Sequence, residues 1–188
     1  MRGYFGIGVE GISKPFNVGN LFRSAHAFDA SFVFTVAATY KRSDGAQTDT
    51  SDALGNLPFY SFPTLPDLLL PKGCALVGVE LHDDATELPS FTHPRCAAYV
   101  LGPERASLSP ALVARCDHLI RIPTKFCLNV GIAGVVVMYD RLLTMGRGRF
   151  PPRPIMPGGP GGLEQRFRSK PPLAEVALAE RDGEDPDR

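Results

Sequence analysis

Several short stretches of this chain are apolar almost throughout: Tyr4 to Val9, Ser31 to Val36, Ala75 to Val79, Ala97 to Leu101 and His118 to Ile122. A strand with one wet face alternates apolar and polar residues, whereas unbroken runs rich in β-branched and aromatic side chains need cover on both faces. Between the runs lie helical signals. Leu21, Phe22, Ala25 and Phe28 repeat at helical spacing after Pro15 and Asn17, Leu65 to Leu70 reads as a short turn between prolines, and Pro110 to Arg115 follows the capping residue Ser109. A last helix is expected from near Cys127 to about Met145. Lys41 to Asp52 reads as a polar surface loop. Strands alternating with helices predict an α/β domain, a mostly parallel sheet with helices on both faces. Ligands of such sheets sit beyond the carboxyl ends of the strands, which selects the loops at Asp83, at Gly102-Pro103-Glu104 and at Pro123-Thr124-Lys125-Phe126.

Size and charge narrow the function classes. The 188 residues, 44% of them hydrophobic, fit one domain over 1–145 followed by a Gly/Pro-rich, charged and disordered tail over 146–188. That tail segregates its charge, with Arg147, Arg149, Arg153, Arg166, Arg168 and Lys170 ahead of Glu175, Glu180, Asp182, Glu184, Asp185 and Asp187, so only its first half suits phosphates. The formal net charge is zero, so a nucleic-acid partner has to be held by a local patch. The four cysteines, Cys74, Cys96, Cys116 and Cys127, form no C-x-x-C pair and read as reduced thiols of a cytoplasmic protein. The four histidines are equally scattered, and no Cys/His grouping has metal-ligand spacing. No apolar run reaches the about 20 residues that span a bilayer.

Two glycine patterns compete near the start. Gly6-x-Gly8-x-x-Gly11 has dinucleotide-turn spacing, but its glycines fall inside an apolar strand and Pro15 stands where a helix should be under way. Glycines in a strand that something passes closely fit better. Asn17-x-Gly19-x-x-x-Arg23 lies at a helix start, where Asn17 can cap free amides and Arg23 follows about one and a half turns later. Such an end suits a phosphate-bearing ligand; a capping Asn with a surface Arg is the bland reading of the same residues.

Taken together, "NVGNLFR" at 17–23, "YVLGPERASLS" at 99–109 and "IRIPTKFCLNVGIAGVVVMYDRL" at 120–142 resemble, in order and separation, the three signature motifs of the SpoU/TrmH-type RNA ribose 2′-O-methyltransferases of the SPOUT superfamily. "LGNLPFY" at 54–60 adds a minor match, and the resemblance covers about residues 4–145. It implies a C-terminal deep trefoil knot, S-adenosylmethionine (SAM) as cofactor, a homodimer whose site is completed across the interface, and tRNA or rRNA as substrate. By the match, Leu101, Gly102, Ile122, Cys127 and Leu128, with Val79 and Glu80 before them, line the SAM site, and Arg23, Asn17, Glu104 and Asn129 form the polar catalytic constellation.

In-line methyl transfer needs the 2′-hydroxyl aligned opposite sulfur, which is a positioning task. An arginine is a poor base, so the conservative role for Arg23 is to hold a phosphate bidentately and stabilise developing oxyanion charge. Asn17 would orient Arg23 or the ribose, Asn129 would anchor the last helix, and Glu104 could pair with Arg23 or Asn17. Two departures stand out. Cys127 replaces the family's usual Ser, and the loop from Pro123 to Asn129 is shorter than in typical members. The rival readings are a catalytically inactive knotted RNA-binding or ribosome-assembly factor and, less well fitted, methylation of a base nitrogen.

Overall fold

The structure, a computed structural model, describes residues 3–11, 15–38, 56–103 and 106–145. Its strands are β1 (Phe5–Glu10), β2 (Phe32–Val36), β3 (Phe59–Phe62), β4 (Ala75–Val79), β5 (Thr86–Glu87), β6 (Ala97–Leu101) and β7 (His118–Arg121). The helices are α1 (Pro15–Ala27), α2 (Pro110–Val113) and α3 (Val130–Met145), with single 3-10 turns at Leu65–Asp67 and Leu88–Ser90. One sheet runs in the order β3-β2-β1-β6-β4-β7-β5, and every pairing in it is parallel. The late strand β6 therefore lies between β1 and β4.

Each face of the sheet is covered, as the apolar runs require. Ile7, Val9, Val33, Val77, Tyr99 and Leu101 pack with Leu21 and Phe22 of α1 and Val137 and Met138 of α3. The opposite side chains, Phe32, Phe34, Val36, Leu76, Ala98 and Val100, pack with Leu68, Leu108 and Leu112. Every residue of β1, β2 and β6 is buried. Burying each large apolar side chain in these strands stabilises the fold by roughly 1.5–3 kcal/mol.

The first glycine pattern is explained by this packing. A Cβ on Gly6 would meet the Phe32 ring, and one on Gly8 would meet the Phe34 carbonyl oxygen and ring. These glycines leave room for two aromatic residues of the neighbouring strand. Gly134 does similar work between helices, since a Cβ on it would strike Leu21 of α1.

Three expectations are corrected. Asn17 does not cap α1, because the helix already starts at Pro15, a residue suited to a first helical position, and Asn17 lies buried within the first turn. α3 starts at Val130 rather than near Cys127, because Asn129 provides the cap. β3 and β5 escape the sequence reading: one is a four-residue edge strand and the other two residues long, too short for a periodic signal. Residues 146–188 and Glu104 lie outside the described residues.

A buried polar chain fastens the far end of α3 to the amino ends of the strands. Arg141, 4% exposed, donates to the carbonyls of Pro94 (2.7 Å), Arg95 (2.9 Å) and Tyr4 (3.3 Å) and to the Tyr99 hydroxyl (3.1 Å). His93 Nδ1 lies 2.6 Å from the Tyr99 hydroxyl and its Nε2 lies 2.9 Å from the Asp140 carboxylate. With Tyr99 donating to Nδ1 and Nε2–H donating to Asp140, these contacts suit a neutral histidine. Burial lowers the His93 pKa, with the Asp140 hydrogen bond opposing it.

Two outcomes are expected. Gly8→Ala should destabilise the fold by about 1–3 kcal/mol, read as a lower urea midpoint, since strand and ring cannot both keep their places. For His93, the folded state binds a proton less readily than the unfolded chain, so its contribution is complete above about pH 6.5 and is lost as pH falls below it. Melting temperatures between pH 8 and pH 5 should fall, and the part due to His93 should disappear in His93→Gln.

Candidate active site

Three neighbouring strands end on one hollow. β6, β4 and β7 are adjacent in the sheet, and the segments leaving their carboxyl ends line a cavity of about 380 Å³. Val79, Glu80 and Leu81 come from the end of β4, Leu101, Gly102 and Pro103 from β6, and Ile122 and Thr124 from β7. Cys127, Leu128, Val130 and Ala133 close it from the start of α3. The seven residues expected at a cofactor site, Val79, Glu80, Leu101, Gly102, Ile122, Cys127 and Leu128, thus surround a single space. Asp83, Pro123, Lys125 and Phe126, singled out from the loops, do not line it, and Phe126 is instead 74% exposed.

The loop after β6 is held by two carboxylates. Glu80, at the end of β4, accepts from Leu108 N at 2.7 Å, and the buried Glu10, at the end of β1, accepts from Ser109 N at 2.7 Å. Ser109 Oγ also donates to Glu10 at 2.5 Å while accepting from Leu112 N at 3.2 Å, so one hydroxyl joins the clasp to the cap of α2. Within the loop, a Cβ on Gly102 would stand 3.0 Å from Leu108 N, a tight approach that favours glycine here. Glu10 was missed by the sequence reading; a lone acid closing an apolar strand was its only sign.

Asn17, Arg23 and Asn129, three of the four residues of the polar constellation, line a second, separate hollow of about 530 Å³ with Phe16, Asn20, Ser24, Gly131, Ile132 and Val135. Asn129 Oδ1 accepts from Gly131 N at 2.9 Å, capping α3, and its Nδ2 donates to Asn17 Oδ1 at 3.1 Å. One side chain thereby ties the first motif to the third. Arg23 is exposed in this hollow and makes no hydrogen bond or ion pair with another described residue. Within one chain Arg23 does not line the cavity at Gly102 and Leu128. The turn from Cys127 to Ala133 separates the two spaces, with Leu128 and Ala133 on one side and Asn129 and Ile132 on the other. Asn20, also missed, sits one helical turn from both Asn17 and Arg23, and Ser24 follows Arg23 directly with its hydroxyl on the Asn20 carbonyl at 2.8 Å. Among the described residues no group of His, Cys, Asp and Glu could hold a metal ion, and no helix is long and apolar enough to cross a membrane. All four cysteines are free.

Glu10→Ala should leave the Ser109 amide without its acceptor at a cost of about 1–3 kcal/mol. Faster amide exchange confined first to Leu108, Ser109 and Leu112, together with a lower urea midpoint, is the expected observation; unchanged exchange there would remove the clasp from the account.

Known proteins share this arrangement. The model of the SpoU rRNA Methylase family matches residues 5–139. A protein of the TrmH family of tRNA/rRNA methyltransferases from Staphylococcus haemolyticus is 29% identical over 143 residues, covering 70% of this chain and 55% of that protein. Among solved structures, the SpoU methyltransferase AviRb from Streptomyces viridochromogenes, in complex with AdoMet, is 22% identical with a TM-score of 0.71, over 79% of this chain and 60% of that one. An AdoMet-bound rRNA methyltransferase from Sinorhizobium meliloti is 20% identical with a TM-score of 0.69, over 80% of this chain and 59% of that one. This chain therefore spans a little over half the length of these relatives. The matched region takes in all strands of the sheet and every described residue of both hollows. The chain belongs to the SpoU rRNA Methylase family.

Proposed function

We propose that this protein is a SAM-dependent methyltransferase that modifies a ribose 2′-hydroxyl of tRNA or rRNA and works as a homodimer. The observation that carries the proposal is the meeting of seven motif residues from β4, β6, β7 and the start of α3 around one cavity. A volume of about 380 Å³ lies within the range of small-molecule sites, and its rim offers backbone groups at Gly102, where the close approach of Leu108 N favours glycine. SAM suits these residues: Leu101, Ile122, Leu128 and Ala133 present apolar surface for an adenosine, and Glu80 faces it with negative charge. When bound, SAM would supply an electrophilic methyl group.

The remaining work falls to the chain's own residues. Arg23, with donors uncommitted to any described residue, can grip a phosphate through two parallel hydrogen bonds and stabilise charge developing on the neighbouring oxygen. Asn17 and Asn129 hold each other, so the floor beneath Arg23 is fixed before substrate arrives. Because Arg23 opens away from the SAM cavity of its own chain, the reading places it against the cavity of a second copy. Exposed apolar side chains next to the Arg23 hollow support such pairing: Phe16 is 61% exposed and Ile132 57%, with Tyr139 at 51% further along α3. The deep trefoil knot belongs to the same reading, supported by a strand order that inserts β6 between β1 and β4 and then places β7 beyond β4. Cys127 lines the cavity as an exposed thiol, a weaker hydrogen-bond partner than the hydroxyl usual in the family, and no step needs it as a nucleophile. That substitution is what keeps an inactive RNA-binding factor in view as the second reading.

Incubating the protein with methyl-labelled SAM and total tRNA and rRNA, then digesting to nucleosides, should give a 2′-O-methylated nucleoside. Arg23→Ala should lower the rate by at least about 10²-fold with SAM affinity kept, in line with the loss of one charge-stabilising donor. Label on a base would overturn the ribose assignment, and SAM binding without transfer would favour the inactive factor.

A further inference from the structure

Among its described lining residues the cavity beyond β4, β6 and β7 contains a single charged side chain, Glu80. Its Oε2 accepts from Leu108 N at 2.7 Å and its Oε1 from Leu81 N at 3.0 Å. Both oxygens act as acceptors, as in an ionised carboxylate, and amide donors leave the negative charge in place. Glu10 adds a second carboxylate behind the same loop, again with both oxygens accepting. No described cation makes an ion pair with either acid. Glu80 is half-buried with amide donors but no cation beside it, so a ligand that brings the opposite charge gains an attraction that water screens only in part.

Building on the methyltransferase reading, we infer that Glu80 makes this cavity selective for a cationic ligand, so that the sulfonium donor is held in preference to its neutral thioether product, S-adenosylhomocysteine. Methyl transfer to a hydroxyl removes one positive charge from the bound ligand: the carbon–sulfur bond breaks with its electron pair kept by sulfur, the oxygen takes the methyl group, and the hydroxyl proton passes to solvent. Glu80 does not change in that step. What attracted the donor no longer attracts the product, and release is favoured. In a cavity partly open to solvent, losing one unit charge near a carboxylate is worth about tenfold in affinity.

Calorimetric titration of the full chain with SAM, with sinefungin, in which an amine-bearing carbon replaces the sulfonium, and with S-adenosylhomocysteine tests this apart from turnover. In the wild-type chain the two cationic ligands should bind more tightly than the thioether. Glu80→Gln keeps the shape but removes the charge, and it should weaken SAM and sinefungin about tenfold while moving S-adenosylhomocysteine less than about twofold. Glu80→Asp keeps the charge but shortens the reach to Leu108, so it should preserve the preference even where all three affinities drop. A parallel loss of all three ligands in Glu80→Gln, or a wild type that does not favour the cations, overturns the inference and leaves the methyltransferase reading intact. A wild type that binds none of the three overturns both.

Discussion

The placement of β6 governs everything else in this molecule. It enters late in the chain yet lies between β1 and β4, buried on both faces and paired in parallel on both edges. A strand in that position can be neither polar nor offset by one residue, because a slip would exchange the Ala97, Tyr99, Leu101 side for the Ala98, Val100 side. Its fixed register carries the loop at Gly102 to a defined height beside the ends of β4 and β7. The cavity results from that height.

Loops beyond a sheet are its softest parts, and here the softness is restrained by charge rather than by packing. Glu10 and Glu80 leave the ends of the two strands that flank β6 and take consecutive amides, Ser109 and Leu108. Hydrogen bonds to charged acceptors are stronger than neutral ones, so a pair of them resists displacement of the loop from two sides. Glu80 also brings its carboxylate to the lining of the cavity. One arrangement thus serves shape and electrostatics together.

The first turn of α3 divides the chemistry. Val130 and Ala133 face the cavity at the strand ends, while Asn129 and Ile132 face the hollow that contains Arg23. Side chains three and four apart share a helix face and neighbours diverge, so a few residues of a helix start serve two spaces. The division lets a single motif line two spaces, and it is the reason the proposed reaction calls on a second copy of the chain.

Much of the fold could be read directly from the residues. Unbroken apolar runs announced strands covered on both faces, Ser109 announced the cap of α2, and the three motifs pointed to segments that do come together. Periodicity could not announce β3 or β5, which are too short, nor that the Asn17 side chain accepts a hydrogen bond from Asn129, 112 positions away. Local pattern determines which segments become strands and helices, because backbone propensity and burial act over a few residues. Only the tertiary structure decides the order of strands, the clasp of Glu10 and Glu80, and the turning of Arg23 away from the strand-end cavity of its own chain, because these depend on contacts between residues far apart in sequence.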